Sequence, residues 1–500
     1  MNNFSRERFK TGEEYSRALF FLSPFILLFS ISLFQVLNLT LFQGDKYQTI
    51  AESNRIYQKP ISPVRGFIYD RNGTLLAENI VQRDLYVTPA YIEDSAETIL
   101  RLSNLLDVPY ELLDENFSKG VKKVKKFDSF PLVKALNEEQ IAKAKVNLDS
   151  ISGIEVKATL KRYVLHEETL AHVLGYVGDI SSGDIRRDKL LAELQNTQIG
   201  KTGIEKEFDY VLRGKPGIQT QERDVKGKLV RILDTQGAED GKDIYLTIDQ
   251  KLQDHLFELF ENRRGALVAL EPKTGLVRAL ISSPSFNPNI LNSIVDTDEV
   301  ESLFSNKESP IFNRAISGQY PPASTLKPFV GLAAIENEVI SWDKTIKDDG
   351  EFYVEGDPRP YRGWKENGHG RVDMRKAIAE SSDVYFYTIA FDLTLSGIRP
   401  MLDSFGFGKK TGLTDFEASG LLPDKKWKLG YKGDFWFKGD TINLGIGQGY
   451  ILATPLQLAM AYSGLANKGL IYQPQFIQPA DEKSFEPKKV AELQLSDNRS

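Results

Sequence analysis

The sequence predicts an α+β protein held to a membrane by a single N-terminal transmembrane helix, and three stretches carry that prediction. No charged residue stands between Arg17 and Asp45, the run 265–283 reads as two β-rich segments around Pro272-Lys273-Thr274-Gly275, and beyond Gln319 helical periodicity prevails. A sheet edge followed by a helical cluster predicts an α/β or α+β catalytic domain in the C-terminal half.

Taken in order, residues 1–17 form a short tail with Arg6, Arg8, Lys10 and Arg17. Residues 18–42 are dominated by Leu, Phe and Ile, and as a helix they would span about 38 Å, enough to cross a ~30 Å hydrocarbon core. No small-x-small cleavage site follows, so the segment is expected to stay as a signal anchor with the tail inside and the bulk of the chain outside. Residues 43–250 mix β-like runs with polar helical patches and form a pedestal. Residues 251–500 form the catalytic domain. The only dense basic run is Lys119 to Lys126, read as a solvated helical face.

Composition narrows the chemistry. Against 69 acidic residues, 63 Lys and Arg leave a net charge of -6, which excludes a general grip on nucleic acid. With zero Cys and four His, disulfides, thiolate metal sites and Cys nucleophiles are out. Catalysis must come from Ser, Lys, Asp, Glu or Tyr.

A Ser and a Lys three positions apart on a helix share one face, so the amine can accept the hydroxyl proton. Two such pairs occur, Ser324 with Lys327 and Ser341 with Lys344. The first follows Tyr320-Pro321-Pro322-Ala323 and runs into the apolar stretch 328–335, placing Ser324 at a helix start, where N–H groups and the dipole polarise a bound carbonyl. The second has no apolar helix behind it and is assigned no role. Downstream, Glu380-Ser381-Ser382-Asp383 supplies a hydroxyl at Ser381 and a carboxylate at Asp383 within a helical segment.

These elements join a longer ordered set: Arg65-Gly66-Phe67-Ile68-Tyr69-Asp70-Arg71-Asn72-Gly73, Ala171 to Gly178, Gly203-Ile204-Glu205, Leu212-Arg213-Gly214, Leu246-Thr247-Ile248-Asp249, Tyr320 to Lys327, and Gly439-Asp440 through Gly449. In this set the sequence resembles the class B penicillin-binding proteins, whose catalytic domain has the serine β-lactamase-like fold. Trp364, Gly368-His369-Gly370 and Asp383 are similar to the elongation branch, penicillin-binding protein 2. The resemblance implies a periplasmic D,D-transpeptidase, anchored in the inner membrane, that cross-links peptidoglycan stem peptides through an acyl-enzyme and is a target of β-lactams. By motif match Ser324 would be the nucleophile, Lys327 its base and Ser381 the proton shuttle, while Asp383 would bind the donor peptide. A SEDS-family glycosyltransferase of the elongation machinery is the implied partner, and no cofactor is expected.

The family's third motif, Lys-Thr/Ser-Gly-Thr on a strand, is not found. Lys201-Thr202-Gly203 and Lys273-Thr274-Gly275 precede the nucleophile, and Lys410-Thr411-Gly412 reads as a turn. The expectation is a catalytic domain lacking its last strands, with transpeptidation impaired in the chain as given. That leaves the alternative of a catalytically impaired membrane scaffold that activates a glycan polymerase. Some relatives hold zinc near the second motif; here Asp348 and His369 are present, but Gly363 and Ser382 stand where further ligands are needed, so no metal is expected.

Overall fold

The computed structural model describes residues 4–39, 56–122, 124, 126–147, 151–189, 191, 194, 198–224, 229–261, 263–293, 297–479 and 485–493. Lys123 and Lys125 of the basic run lie outside them. The chain divides into two compact units, 1–62 with 216–238, and 63–215 with 239–500.

In the first unit, helix α1 (Phe4–Leu37) contains the apolar window Phe20–Leu37, long and apolar enough to cross a membrane and with none of it buried against protein. The same unit holds a three-stranded antiparallel sheet in which Gly217–Arg223 lies between Ile56–Ile61 and Leu229–Gln236.

The second unit opens with a sheet built on strand β1 (Leu75–Val87), which pairs along its whole length with β2 (Ile154–Val164), from Ala77 opposite Val164 to Val87 opposite Ile154. Its far end carries a helical layer that the sequence reading did not separate from the pedestal: Ser95–Leu106, Tyr110–Val121 and Glu138–Asn147 close over Leu85, Ile99, Leu102, Leu113 and Leu132. Its near end is tied by charge. Arg65 and Arg162 both donate to buried Glu205, at 2.6 and 2.5 Å, and Arg65 also reaches Asp209 at 2.9 Å. Burial alone would raise the Glu205 carboxyl, but the two guanidiniums hold it below its ordinary value. The motifs at 65–73 and 203–205 are therefore two halves of one buried ion cluster.

The expected hairpin is present as antiparallel β3 (Gly265–Leu270) and β4 (Val277–Ser283). The segment 246–253 straps it to the pedestal. Thr247 Oγ1 donates to the Val277 carbonyl at 2.7 Å, and the Asp249 N–H reaches the Arg278 carbonyl at 2.9 Å. The buried Gln253 amide donates to the Leu280 carbonyl and accepts its N–H. On the other side, Gln250 N–H donates to Asp70, whose second oxygen closes the 70–74 turn through Asn72 and Thr74.

The core beyond the hairpin is helical. Apolar helix α2 (Lys327–Glu336) is buried at almost every position and packs on α4 (Asp383–Ser404), which follows the short α3 (Met374–Ala379). Phe329 meets Phe405 and Phe407 edge-on at 4.8 and 5.3 Å. Helix α5 (Lys438–Gly445) packs on α4 and delivers the glycine-rich turn 445–449 to the N-terminal end of α2.

Candidate active site

Ser324 lies in a 3-10 turn, Ala323–Leu326, that runs directly into α2. The turn is held from outside: the Ala323 N–H donates to the Gly447 carbonyl at 2.8 Å, and the Tyr462 hydroxyl donates to the Thr325 carbonyl at 2.8 Å. Ala323 has φ 50°, in the left-handed region where glycine is favoured. Gly447 has φ 70° and no room for a side chain, since a Cβ there would sit 2.1 Å from the Ala323 carbonyl oxygen.

One turn on, the Lys327 side chain is buried with 1% exposure while its nitrogen faces three oxygens. Nζ lies 2.8 Å from the Ser381 carbonyl, 2.9 Å from Ser381 Oγ and 2.7 Å from Asp383 Oδ1. Ser381 Oγ in turn donates to Ser324 Oγ at 2.9 Å, so the second serine bridges Ser324 and the amine. Burial is the strongest influence on Lys327 and brings its pKa below the ordinary lysine value, against the raising effect of Asp383 and, more weakly, Asp348. A larger neutral fraction makes the amine a better proton acceptor.

The sequence placed Ser381 within a helical segment. The structure places it in the break between α3 and α4, at φ 54°, because the chain must turn there to aim Oγ at Ser324. Ser382 is the N-cap of α4 and accepts from the Tyr385 N–H. Its own hydroxyl donates to Asp348 Oδ2 at 2.6 Å, and His369 Nδ1 faces the same oxygen at 2.6 Å. Burial alone would raise the Asp348 carboxyl; the hydrogen bonds from Ser382, His369 and the Gly350 N–H hold it below its ordinary value. These residues do not fit a zinc site: Gly363 has no side chain, and the Ser382 hydroxyl is committed to Asp348, which leaves two donors of the four that a structural zinc takes.

Asp383 has both oxygens engaged within the protein, Oδ1 by Lys327 and Oδ2 by the Trp364 N–H at 3.1 Å. The Trp364 indole also donates to the Ser381 carbonyl at 3.1 Å. Sequence reasoning gave Trp364 no place at the site and did not single out Tyr462; a lone aromatic 17 or 137 residues from its partner leaves no spacing signal. Ser341 and Lys344 stand in an exposed turn. Thr411 donates to Glu417 within its own loop at 2.6 Å, and Gly412 has φ 86°, so residues 410–412 form a turn.

A serine hydroxyl at a helix start, a buried amine and a hydroxyl that bridges them form an arrangement suited to serine-type acyl transfer of the Ser-Lys kind. Residues 265–499 match the penicillin binding protein transpeptidase domain and residues 60–246 the penicillin-binding protein dimerisation domain. The chain belongs to the penicillin-binding protein family of transpeptidases. It is 37% identical over 467 residues to the peptidoglycan D,D-transpeptidase MrdA of Haemophilus influenzae, covering 92% of this chain and 72% of that protein. With the MrdA of Escherichia coli it shares 36% identity over 474 residues, covering 93% and 74%. Among solved structures it is similar to Helicobacter pylori PBP2 in complex with MreC, at TM-score 0.77 and 30% identity over 87% of this chain and 81% of that one. Pseudomonas aeruginosa PBP2 in complex with WCK 5153 matches at TM-score 0.65 and 30% identity, over 89% and 79%.

Proposed function

We propose that this protein is a peptidoglycan D,D-transpeptidase of cell-wall elongation, anchored by α1 in the cytoplasmic membrane with its catalytic domain in the periplasm. The observation that carries the reading is the line Ser324 Oγ, Ser381 Oγ, Lys327 Nζ, joined by two hydrogen bonds of 2.9 Å. In the proposed reaction Ser324 Oγ attacks the penultimate D-alanine carbonyl while its proton passes through Ser381 to the neutral Lys327. Collapse of the tetrahedral adduct breaks the peptide bond. The same proton returns through Ser381 to the departing D-alanine nitrogen, leaving an ester on Ser324. An acceptor stem-peptide amine then attacks the ester, forms the cross-link and returns a proton to Ser324. A β-lactam would form the same ester by ring opening.

The cross-linking reading is favoured over the scaffold reading because a scaffold has no need of a buried amine in a low-dielectric site, which is costly to maintain. A SEDS-family polymerase as partner fits the same elongation role, and the MreC complex of the Helicobacter pylori relative supports a place among elongation proteins. Fluorescent penicillin added to the full-length protein should label it covalently, and Ser324→Ala should abolish the label. Full rescue of rod growth by Ser324→Ala in a depletion strain would instead support the scaffold.

A further inference from the structure

A second recess lies on the catalytic domain, away from the acyl-transfer line. Its volume is about 840 Å³, and it is walled by the middle of α4, the helix Lys425–Lys432 and the first residues of α5. The wall on α4 is shaped by a break in the helix: Thr394 has φ 60° and ψ 175°, and its hydroxyl hydrogen-bonds Ser396 at 2.7 Å. A β-branched residue in that conformation is costly, and such outliers gather at ligand sites.

The lining is cationic and aromatic. Arg399, Lys425, Lys426 and Lys438 face one carboxylate, Asp424, which approaches Arg399 only to 3.8 Å. The Arg399 Nε is buried with no hydrogen-bond partner, so the guanidinium that lines the recess is incompletely satisfied by the protein itself. Phe391 and Trp436 supply flat apolar faces, and Lys438 Nζ is held 5.1 Å above the Phe391 ring. The recess is thus matched to a ligand that joins carboxylates to a broad apolar face. A saccharide with peptide substituents has both.

Phe391 lies eight residues along α4 from Asp383, about 12 Å by helical rise. A ligand filling both places must be longer than the D-Ala-D-Ala end.

On this basis, and resting on the transpeptidase reading, we infer that the recess is a subsite for a peptidoglycan strand, with stem-peptide carboxylates on Arg399 and Lys438 and a sugar face on Phe391 and Trp436. It would hold the polymer while a stem peptide is presented to Ser324.

The test uses the full-length protein in nanodiscs of zwitterionic lipid and measures retention of soluble, uncross-linked glycan strands bearing stem peptides. Arg399→Gln combined with Lys438→Gln should weaken retention about tenfold, the loss expected for a charge-assisted contact. Penicillin acylation at Ser324 should keep its wild-type rate. Strands stripped of stem peptides should bind the wild-type protein as weakly as intact strands bind the variant. Should the pair of substitutions damage folding, Lys438→Gln alone, at an exposed position, gives the same readout. Equal retention of variant and wild type would overturn the inference. So would binding of nanodiscs rich in phosphatidylglycerol in place of strands, which would assign the surface to anionic lipid. Failure of the wild-type protein to react with penicillin would strike the transpeptidase reading and leave strand retention to be judged by itself.

Discussion

Lys327 Nζ and Asp383 Oδ1 are 2.7 Å apart, and the two residues belong to different helices, so the ion pair fixes the start of α4 against the second turn of the nucleophile segment. The pair also bears on the pH at which the Lys327 amine becomes neutral. Asp383 favours the protonated amine, while burial favours the neutral one. Asp383→Asn removes the raising influence, so the Lys327 pKa falls further and the rising limb of penicillin acylation moves to lower pH. Stopped-flow acylation from pH 6 to 10 measures the limb. Movement to higher pH would contradict the assignment of Lys327 as base.

Gly447 leaves no space for a methyl group above the Ala323 carbonyl. Gly447→Ala should push the 323–326 turn by about 1 Å and lower the acylation rate about 100-fold, with helix content by circular dichroism unchanged. Ala323→Gly relieves a left-handed alanine and should stabilise the protein by about 1 kcal/mol in denaturant titration.

Ser382 is wholly buried and does two things, capping α4 and donating to Asp348. Ser382→Ala should cost about 2 kcal/mol, a cap lost and a buried carboxylate left one donor short. The Asp348 carboxyl is depressed in the folded state, so its contribution is present above its unfolded pKa and is lost as pH falls through the lower folded one. The variant has less of this contribution to lose, so its stability should decline less steeply on acidification than that of the wild type, as read from melting curves between pH 7 and 3.

His172 is held neutral by burial, its pKa lowered to about 4. The unfolded chain binds this proton near pH 6.5 and the native one does not until about 4, so the group costs stability as pH falls through that window. By linkage the loss from pH 7 to pH 5 is about 2 kcal/mol. His172→Gln should flatten the decline over this range in urea denaturation, and an unchanged slope would refute the burial of an uncharged imidazole.

What the sequence made legible followed local rules. The membrane-length apolar run, the 265–283 hairpin and the Ser324–Lys327 pair depend on composition, turn chemistry and helical spacing, each read within one short contiguous stretch of chain. Ser381 could be named but not placed, because its turn is imposed by Ser382 bonding to Asp348, 34 residues away. Trp364 and Tyr462 reach the site through main-chain carbonyls of Ser381 and Thr325, and a carbonyl carries no sequence identity. The helical layer over the far end of β1 was blurred for a similar reason: its helices are amphipathic and short, and only the closed core at Leu85 and Leu102 distinguishes them from surface patches.

The strap at 246–253 bears on how the protein can be dissected. An excised fragment beginning at Gly265 would keep Ser324, Lys327 and Ser381, yet strand β4 would lose the Thr247 hydroxyl, the Asp249 amide and both bonds from Gln253. The carbonyls of Val277, Arg278 and Leu280 would then open to water along a strand buried at six of its seven residues. Excised domains intended for inhibitor screening should accordingly begin upstream of Leu246, and fragments cut later are expected to aggregate although they retain Ser324, Lys327 and Ser381.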